Sequence, residues 1–430
     1  MAVKRIRAWL PYEVPGIAAV GLSLDIELDK LTILVGPNAS GKTAILESIG
    51  YMLASHQKSA DEALLSLTLT STLRPNLFIP LNFAVNGEIE GIRTMSLYIN
   101  ADPSLLLERR KLENLTELLS KSLRDEIERD LTYANELIPF YEHARYRPLL
   151  TRSEVIRRLI DVIHNIVGEN IEISLIARAY SRGARLIPEE DIPRILSRVL
   201  RFSRRPPMLI YTIENGDLIK SIVISGMPEY LLIRQRKIKE SEIQLAVFHP
   251  GFSYWRGMFE SLYYARARRG MPNEREAIDV IREYIRWFNG FELLGRTLHV
   301  KDYEGVRIPI YSLSDGYRIV VLLGLLYAMT KPPTLFLIDT PEAFVHPDGV
   351  PVVADLIARL VKDGNQVVLA TQSTEFLEVL LDKAEYYEVI DHASVLRISL
   401  TADGQIRDTG RWKGLVAKRS LEELGVDLRR

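Results

Sequence analysis

One stretch near the start of the chain combines residue types and a spacing that suit the binding of phosphate groups. Its two glycines allow backbone N–H groups to turn inward, where they can surround phosphate oxygens. The Lys42 ammonium group can reach the β- and γ-phosphates of a nucleotide, and the Thr43 hydroxyl can take one position on Mg²⁺. The predicted nucleotide site consists of Gly36, Pro37, Asn38, Ala39, Ser40, Gly41, Lys42 and Thr43.

The segments on either side of this stretch support the prediction. Residues 31–35 form an apolar run typical of a buried strand, and residues 44–49 have the composition of a helix. A phosphate-binding loop requires this order of strand, loop and helix, because the helix N-terminus adds a partial positive charge. The alternative is a glycine-rich turn that happens to precede a lysine.

A carboxylate far along the chain is placed to complete a magnesium site. Residues 334–338 are an apolar run that ends in Asp339. At the carboxyl end of a buried parallel strand, an aspartate points into the ligand crevice. There it would hold Mg²⁺ opposite Thr43. The alternative is an aspartate that serves only a turn or a helix cap.

A second anion site is predicted shortly before that strand. The segment Leu313-Ser314-Asp315-Gly316 precedes an apolar helical run. The Ser314 hydroxyl, the backbone N–H groups near Gly316 and the helix dipole would converge on one anion. Simple capping of the helix by Ser314 is the alternative.

The order of these motifs resembles that of a known family. After the strand that ends in Asp339 come Pro341-Glu342 and His346-Pro347. The whole series looks like the ABC-type ATPase heads of the SMC/RecF/OLD class, which includes DNA double-strand-break-repair ATPases. The resemblance covers roughly residues 1–100 and 240–430.

The resemblance implies a site shared between two copies of the chain. Two heads of this class enclose two ATP molecules. Carried over to this sequence, Lys42, Thr43 and Asp339 would bind ATP and magnesium within one copy. Ser314 and Gly316 would contact the γ-phosphate held by the other copy. The implied partner is therefore a second copy of this chain.

Two positions depart from the pattern of that class. Thr340 stands where the class usually has a glutamate that polarises the attacking water, and a hydroxyl is not an efficient general base. Glu342 is the nearest substitute. Gln372 stands where a histidine usually senses the γ-phosphate, and it can still orient water. These three catalytic candidates predict slow hydrolysis and a long-lived ATP-bound dimer.

Apolar patterning and the resemblance together predict an α/β, ABC-type P-loop fold with mixed and antiparallel sheets. Residues 1–102 would form an N-terminal lobe, residues 103–206 a helical insertion and residues 207–430 a C-terminal lobe. Alternating helices and apolar strands in the last segment predict a parallel sheet. The pairs Asn86-Gly87 and Asn215-Gly216 predict hairpin turns.

Composition narrows the class of protein further. The chain has 430 residues, a formal net charge of −1 and no cysteine, which excludes disulfides, thiolate metal sites and cysteine nucleophiles. No apolar run approaches the ~18 residues that span a bilayer, so we expect a cytoplasmic protein without a membrane partner. Because the whole chain is not basic, nucleic-acid binding would require a local patch.

A local basic patch is predicted in the insertion. Four arginines recur at helical spacing, so one helix face would carry all of them. They could contact the phosphate backbone of DNA and associate the protein with the nucleoid. A solvated or salt-bridged helix face is the alternative. The four are Arg194, Arg198, Arg201 and Arg205.

Three hypotheses of function follow from these motifs. In the first, ATP closes two heads and the pair acts on DNA in repair, as a clamp or in chromosome organisation. In the second, the ATPase gates a separate effector or nuclease in a defence-type complex. In the third, the chain is a nucleotide-dependent scaffold without turnover.

Overall fold

A computed structural model describes the parts of the chain that build the site. The described residues are 3–9, 24–54, 56, 70, 73, 83–89, 92–100, 173–179, 183–187, 208–214, 217–225, 230–235, 243–251, 270–295, 297–400, 406–424 and 427–429. Strands and helices are numbered in chain order over these residues.

A six-stranded sheet carries the phosphate loop. Its strands are β3 (Leu31–Val35), β11 (Gln244–Phe248), β15 (Thr334–Asp339), β16 (Gln366–Ala370), β17 (Ala393–Leu400) and β18 (Ile406–Lys413). They lie in the order β11-β15-β16-β3-β17-β18. All neighbours from β11 to β17 are parallel, and β18 is antiparallel. Every residue of β3 and β16 is buried, as expected for central strands of a parallel sheet.

Helices alternate with the strands of this sheet along the chain, and some of them pack directly on it. They are α1 (Lys42–Ala54), α2 (Glu274–Arg282), α3 (Asp315–Met329), α4 (Val350–Lys362), α5 (Thr374–Tyr386) and α6 (Gly414–Leu424). Helix α3 is buried at every residue from Ile319 to Met329, which explains its nearly unbroken apolar sequence.

A nine-stranded antiparallel sheet lies beside the first. Its strands are β1 (Val3–Trp9), β2 (Leu24–Glu27), β4 (Phe83–Ile89), β5 (Ile92–Asn100), β6 (Ile173–Ala179), β7 (Gly183–Ile187), β8 (Met208–Glu214), β9 (Asp217–Ser225) and β10 (Tyr230–Gln235). They lie in the order β2-β1-β4-β5-β8-β9-β10-β6-β7. Gln366 joins the two sheets, because its side chain accepts a 2.8 Å hydrogen bond from Val3 N and donates one of 2.7 Å to Val3 O.

A small third sheet precedes α3. It consists of β12 (Gly290–Leu294), β13 (Thr297–Lys301) and β14 (Arg307–Pro309), all antiparallel. Together the three sheets confirm the expected α/β class with a parallel central sheet and an antiparallel lobe.

One predicted hairpin is confirmed and the other is wrong. Strands β8 and β9 pair Glu214 with Asp217, as the Asn215-Gly216 signal requires. Asn86-Gly87, in contrast, lies inside β4, whose register with β5 pairs Ile89 with Ile92. A Cβ atom on Gly87 would lie 2.4 Å from Met52 Sδ. The glycine therefore permits close approach of α1 rather than a turn.

The range 103–206 is not helical throughout. Strands β6 and β7 lie within it and pair with each other and with β10. Their short, partly β-branched apolar runs fit either a helix or a strand, and they form strands here by pairing within the antiparallel sheet. The predicted helices of this range, and with them Arg194, Arg198, Arg201 and Arg205, lie outside the described residues. The three domain boundaries stay predictions.

Two classes of feature are absent from the described residues. None of their helices combines the length and hydropathy needed to cross a membrane. The same residues contain no group of three or more histidine, cysteine or acidic side chains arranged to hold a metal ion.

A candidate nucleotide site

The phosphate loop connects β3 to α1 in a conformation that favours glycine. Gly36, Ala39 and Gly41 have φ angles of 144°, 63° and 98°. A Cβ atom on Gly36 would lie only 2.1 Å from the carbonyl oxygen of Ile398 in β17. Glycine suits position 36 for two reasons: it adopts this φ angle without strain, and it has no Cβ atom to clash with β17.

The Lys42 side chain points back into the phosphate loop. It is 5% exposed. Its ammonium group donates hydrogen bonds of 2.9 Å to Gly36 O, 2.8 Å to Pro37 O and 3.4 Å to Ser40 Oγ. These contacts place a positive charge at the centre of the loop, where the sequence predicts phosphate.

Thr43 and Asp339 meet although they are 296 residues apart in sequence. The Thr43 hydroxyl donates a 2.7 Å hydrogen bond to Asp339 Oδ2. Strands β3 and β15 are not neighbours, because β16 lies between them. Both residues nevertheless reach the same place, since they lie at the carboxyl edge of one parallel sheet.

The chain turns sharply after Asp339. Thr340 has a φ of 46°, a left-handed conformation that is rare for a β-branched residue. Its N–H group donates a 2.8 Å hydrogen bond to Ala370 O, and its carbonyl accepts one of 3.1 Å from Ala343 N. The turn between these bonds directs Glu342 toward the end of β16.

Glu342 is held by the loop that follows β16. Its Oε1 accepts hydrogen bonds from Thr371 Oγ1 at 2.7 Å and from Gln372 N at 3.3 Å. Its Oε2 is buried and accepts no hydrogen bond from the described part of the chain. Burial raises the pKa of Glu342, and the Asp339 carboxylate adds to the shift, whereas hydrogen bonds from Thr371, from Gln372 and from the backbone of Glu342 itself oppose it.

The charged groups of the site influence one another. Burial lowers the pKa of Lys42, whereas the carboxylates of Asp339 and Glu342 act in the opposite direction. The three side chains therefore belong to one electrostatic cluster. It combines hard oxygen atoms with a buried ammonium group, a donor set that suits Mg²⁺ and phosphate.

Gln372 contributes to this arrangement through its main chain. Gln372 is exposed. Its N–H group donates a hydrogen bond to Glu342, and its carbonyl accepts a 2.7 Å hydrogen bond from Arg429 Nη1. The sequence predicts a role only for the side chain of Gln372.

A comparison with protein families covers most of this arrangement. The family model described as "AAA domain, putative AbiEii toxin, Type IV TA system" matches residues 31–378. The chain belongs to this AAA family. The match spans the phosphate loop, the strand that ends in Asp339 and the Thr371-Gln372 segment, and family membership makes the chain a P-loop ATPase.

This AAA protein is also similar to one curated protein and to several solved structures. Protein MJECL11 of Methanocaldococcus jannaschii, named as uncharacterised, is 29% identical over 118 residues, which cover 27% of this chain and 99% of that protein. An Smc head bound to the C-terminal winged-helix domain of ScpA gives a TM-score of 0.43 at 12% identity and covers 96% of this chain and 98% of that chain. An Smc head with an extended coiled coil, bound to the C-terminal domain of ScpA from Pyrococcus furiosus, gives a TM-score of 0.41 at 13% identity and covers 99% of this chain and 100% of that chain.

The second predicted anion site of this AAA protein does not join the first within one copy. Ser314 is exposed at the start of α3, and its side chain makes no capping hydrogen bond. A Cβ atom on Gly316 would lie 2.8 Å from Phe344 O, so the segment packs against the loop that follows Glu342. Among the described residues, no hydrogen bond links Ser314 or Gly316 to the phosphate loop.

Three contributors to the site were not predicted from the sequence. Thr371, whose hydroxyl binds Glu342, lies next to Gln372, the residue of that segment predicted to be catalytic. The Ile398 carbonyl and the Arg429 guanidinium act through contacts that leave no spacing signal in the sequence. Only the three-dimensional arrangement reveals them.

Proposed function

We propose that this AAA protein binds ATP with Mg²⁺ and hydrolyses it slowly. The observation that carries the proposal is the 2.7 Å hydrogen bond from Thr43 to Asp339, next to the buried Lys42. Thr43 and Asp339 would hold Mg²⁺, which neutralises charge on the β- and γ-phosphates when bound. Lys42 would exchange its bonds to loop carbonyls for bonds to phosphate oxygens.

Hydrolysis in this proposal depends on Glu342 rather than on Thr340. A threonine hydroxyl is too weak a base to take a proton from water. One carboxylate oxygen of Glu342 is fixed by Thr371, and the other, Oε2, is buried and accepts no hydrogen bond from the described residues. A carboxylate whose pKa is raised by burial is a stronger base than an exposed one. Gln372 would orient the attacking water beside it.

We further infer that two copies pair with ATP between them. The exposed Ser314, with an uncapped helix N-terminus behind it, is an anion site that its own phosphate loop does not use. In a head-to-head dimer, Ser314 and Gly316 would complete the site of the other copy. Because hydrolysis is slow, that dimer would be long-lived.

Two downstream roles are proposed for the ATP-bound dimer. Action on DNA is supported by the resemblance to SMC/RecF/OLD heads and by the arginine series 194–205 in the sequence. Gating of a separate effector is favoured by the family description, which names an AbiEii-type toxin and a type IV toxin–antitoxin system. A scaffold without turnover is the third outcome.

The central proposal is tested with the purified full-length chain. ATP affinity is measured by calorimetry, with Mg²⁺ and with EDTA, beside dimer formation by light scattering and turnover by phosphate release. We expect Lys42→Ala to weaken ATP binding by about tenfold to 100-fold, since it removes a charged donor. Lys301→Ala, in the three-stranded sheet, is the matched control. Equal ATP affinity in Lys42→Ala and the control would refute the assignment of the site.

The hydrolysis arm uses Glu342→Gln and Thr340→Glu. The first should abolish turnover without weakening ATP binding, and the second should raise turnover by restoring the usual base. A wild-type turnover near ~1 s⁻¹ or faster would contradict slow hydrolysis.

The downstream roles are separated by DNA affinity, measured with and without ATP. DNA binding that increases with ATP and is lost in the triple variant Arg194→Glu, Arg198→Glu, Arg201→Glu supports action on DNA. DNA binding that the triple variant leaves intact excludes these arginines as the contact surface. DNA affinity that is absent, or that ATP does not change, counts against action on DNA and favours the effector.

A further inference from the structure

We propose that Arg429 is a positioning residue that orients Glu342 through a series of hydrogen bonds; the inference rests on the proposed function of that glutamate. Arg429 lies after α6, more than fifty residues from Gln372, and belongs to none of the sequence motifs described above. The Arg429 guanidinium nevertheless reaches the carboxyl edge of the central sheet, beside the loop that holds Glu342.

The position of Arg429 is fixed at two points. Leu428, its neighbour, is only 1% exposed and is part of the hydrophobic core. Asp427 accepts hydrogen bonds from Arg429 Nε at 2.8 Å and from Nη2 at 3.0 Å. A two-point pair of this kind sets the plane of a guanidinium group. The remaining nitrogen, Nη1, is thereby directed at Gln372 O, 2.7 Å away.

The bond to Gln372 O fixes the peptide unit that joins Gln372 to Ser373. The N–H group of the same planar unit donates a 3.0 Å hydrogen bond to Thr371 Oγ1. Since that hydroxyl accepts from Ser373, its own hydrogen is directed elsewhere. It is donated to Glu342 Oε1 at 2.7 Å.

The series therefore runs from Asp427 through Arg429, the 372–373 peptide and Thr371 to Glu342. Each bond orients the donor of the next one, and linked hydrogen bonds strengthen one another. Removing Arg429 would free the peptide unit to rotate and would loosen the Thr371 hydroxyl. Glu342 Oε2 would then lose its fixed direction, while the phosphate loop and Asp339 would be unchanged. The expected defect is in turnover rather than in ATP binding.

The test compares Arg429→Ala, Arg429→Lys and the control Arg307→Ala in the full-length chain. Arg307 is paired with Glu292 in the three-stranded sheet. We measure kcat, the Kd for ATP, and hydrogen–deuterium exchange of the Ser373 amide without nucleotide. Arg429→Ala should reduce kcat about tenfold and speed Ser373 exchange about tenfold, the loss typical of one charged hydrogen bond, with the Kd unchanged. Arg429→Lys should recover part of both effects, because lysine keeps the charge but not the planar geometry.

Several results would overturn the proposal. Unchanged Ser373 exchange in Arg429→Ala would do so, and so would faster exchange with unchanged kcat. Equal effects in Arg307→Ala, or exchange increased throughout α5, would indicate general destabilisation instead and also count against it. If the wild-type chain hydrolyses no ATP, the proposed function fails. Ser373 exchange then decides the hydrogen-bond series by itself, with faster exchange supporting it and unchanged exchange overturning it.

Discussion

Thr43 Oγ1 and Asp339 Oδ2 lie 2.7 Å apart, joined by a hydrogen bond across the intervening strand β16. Thr43 lies in the first turn of α1 and Asp339 ends β15, so the bond ties the helix that follows the phosphate loop to a strand two positions away from β3. Hydroxyl and carboxylate oxygens at this separation present two adjacent ligand positions to a small, hard cation.

Asp339→Asn tests the magnesium role of this pair. An amide oxygen is a weaker ligand than a carboxylate, so ATP affinity in Mg²⁺ should fall by about tenfold or more. In EDTA the variant and the wild type should bind ATP equally. Calorimetric titration in both buffers measures the difference, and Asp279→Asn on the surface of α2 is the control. An unchanged response to Mg²⁺ would remove Asp339 from the site.

Gly36→Ala tests the contact between the phosphate loop and β17. The new methyl group would meet Ile398 O and would also adopt an unfavourable φ. Strain and overpacking together predict a loss of about 2–5 kcal/mol in the free energy of unfolding. Gly364→Ala is the matched control, because Gly364 also has positive φ but has open space around it. Urea denaturation should show a clearly smaller loss for the control, and equal losses would deny the contact.

The sequence predicted the parts of the site that depend on local order. Strand, loop and helix around Lys42, and a strand ending in Asp339, are regular patterns with buried elements, and both lie as expected. Contacts between residues far apart in sequence that involve a backbone carbonyl could not be predicted. Examples are Ile398 O beside Gly36 and the bond from Arg429 to Gln372 O. The turn predicted at Gly87 was wrong, because a glycine required for close packing cannot be distinguished in sequence from a glycine required for a turn. Strands β6 and β7 were missed because their short apolar runs fit either a helix or a strand.

Glu342→Gln should stabilise the protein in a pH-dependent way. Burial raises the pKa of Glu342 above its ordinary value of 4.5. Such a carboxyl favours the folded state while protonated, so its contribution is present below that value and is lost as the pH rises through the folded-state pKa. Glutamine does not titrate. The Tm difference in favour of Glu342→Gln should therefore grow as the pH rises above 4.5.

The control for this measurement has the opposite sign. The hydrogen bond from Arg307 lowers the pKa of Glu292. Glu292→Gln should therefore lose a little stability, relative to wild type, as the pH rises through the acid range. A Tm difference for Glu342→Gln that is constant with pH would contradict the raised pKa.

Thr340→Gly should increase stability. Glycine adopts the left-handed conformation without steric cost, which relieves strain of about 1–3 kcal/mol, and it gives back about 0.5–1 kcal/mol in chain entropy. The net gain expected in urea denaturation is about 1 kcal/mol. Thr340→Ala keeps the strained φ and should bring no such gain. If alanine and glycine stabilise equally, the hydroxyl or the branch is responsible rather than the backbone angle.

The order of strands in the central sheet has a consequence for synthesis of the chain. Strand β3 pairs with β16 and β17, which begin at Gln366 and Ala393. On a ribosome that adds about 5–20 residues per second, the nucleotide-site strand waits on the order of 20–60 s for its first neighbour. During that time its unpaired backbone edges and its apolar side chains are exposed to other nascent chains. We therefore expect chaperones to bind residues 31–54 of the newly made chain, and aggregation through this segment to be the main risk in producing the protein.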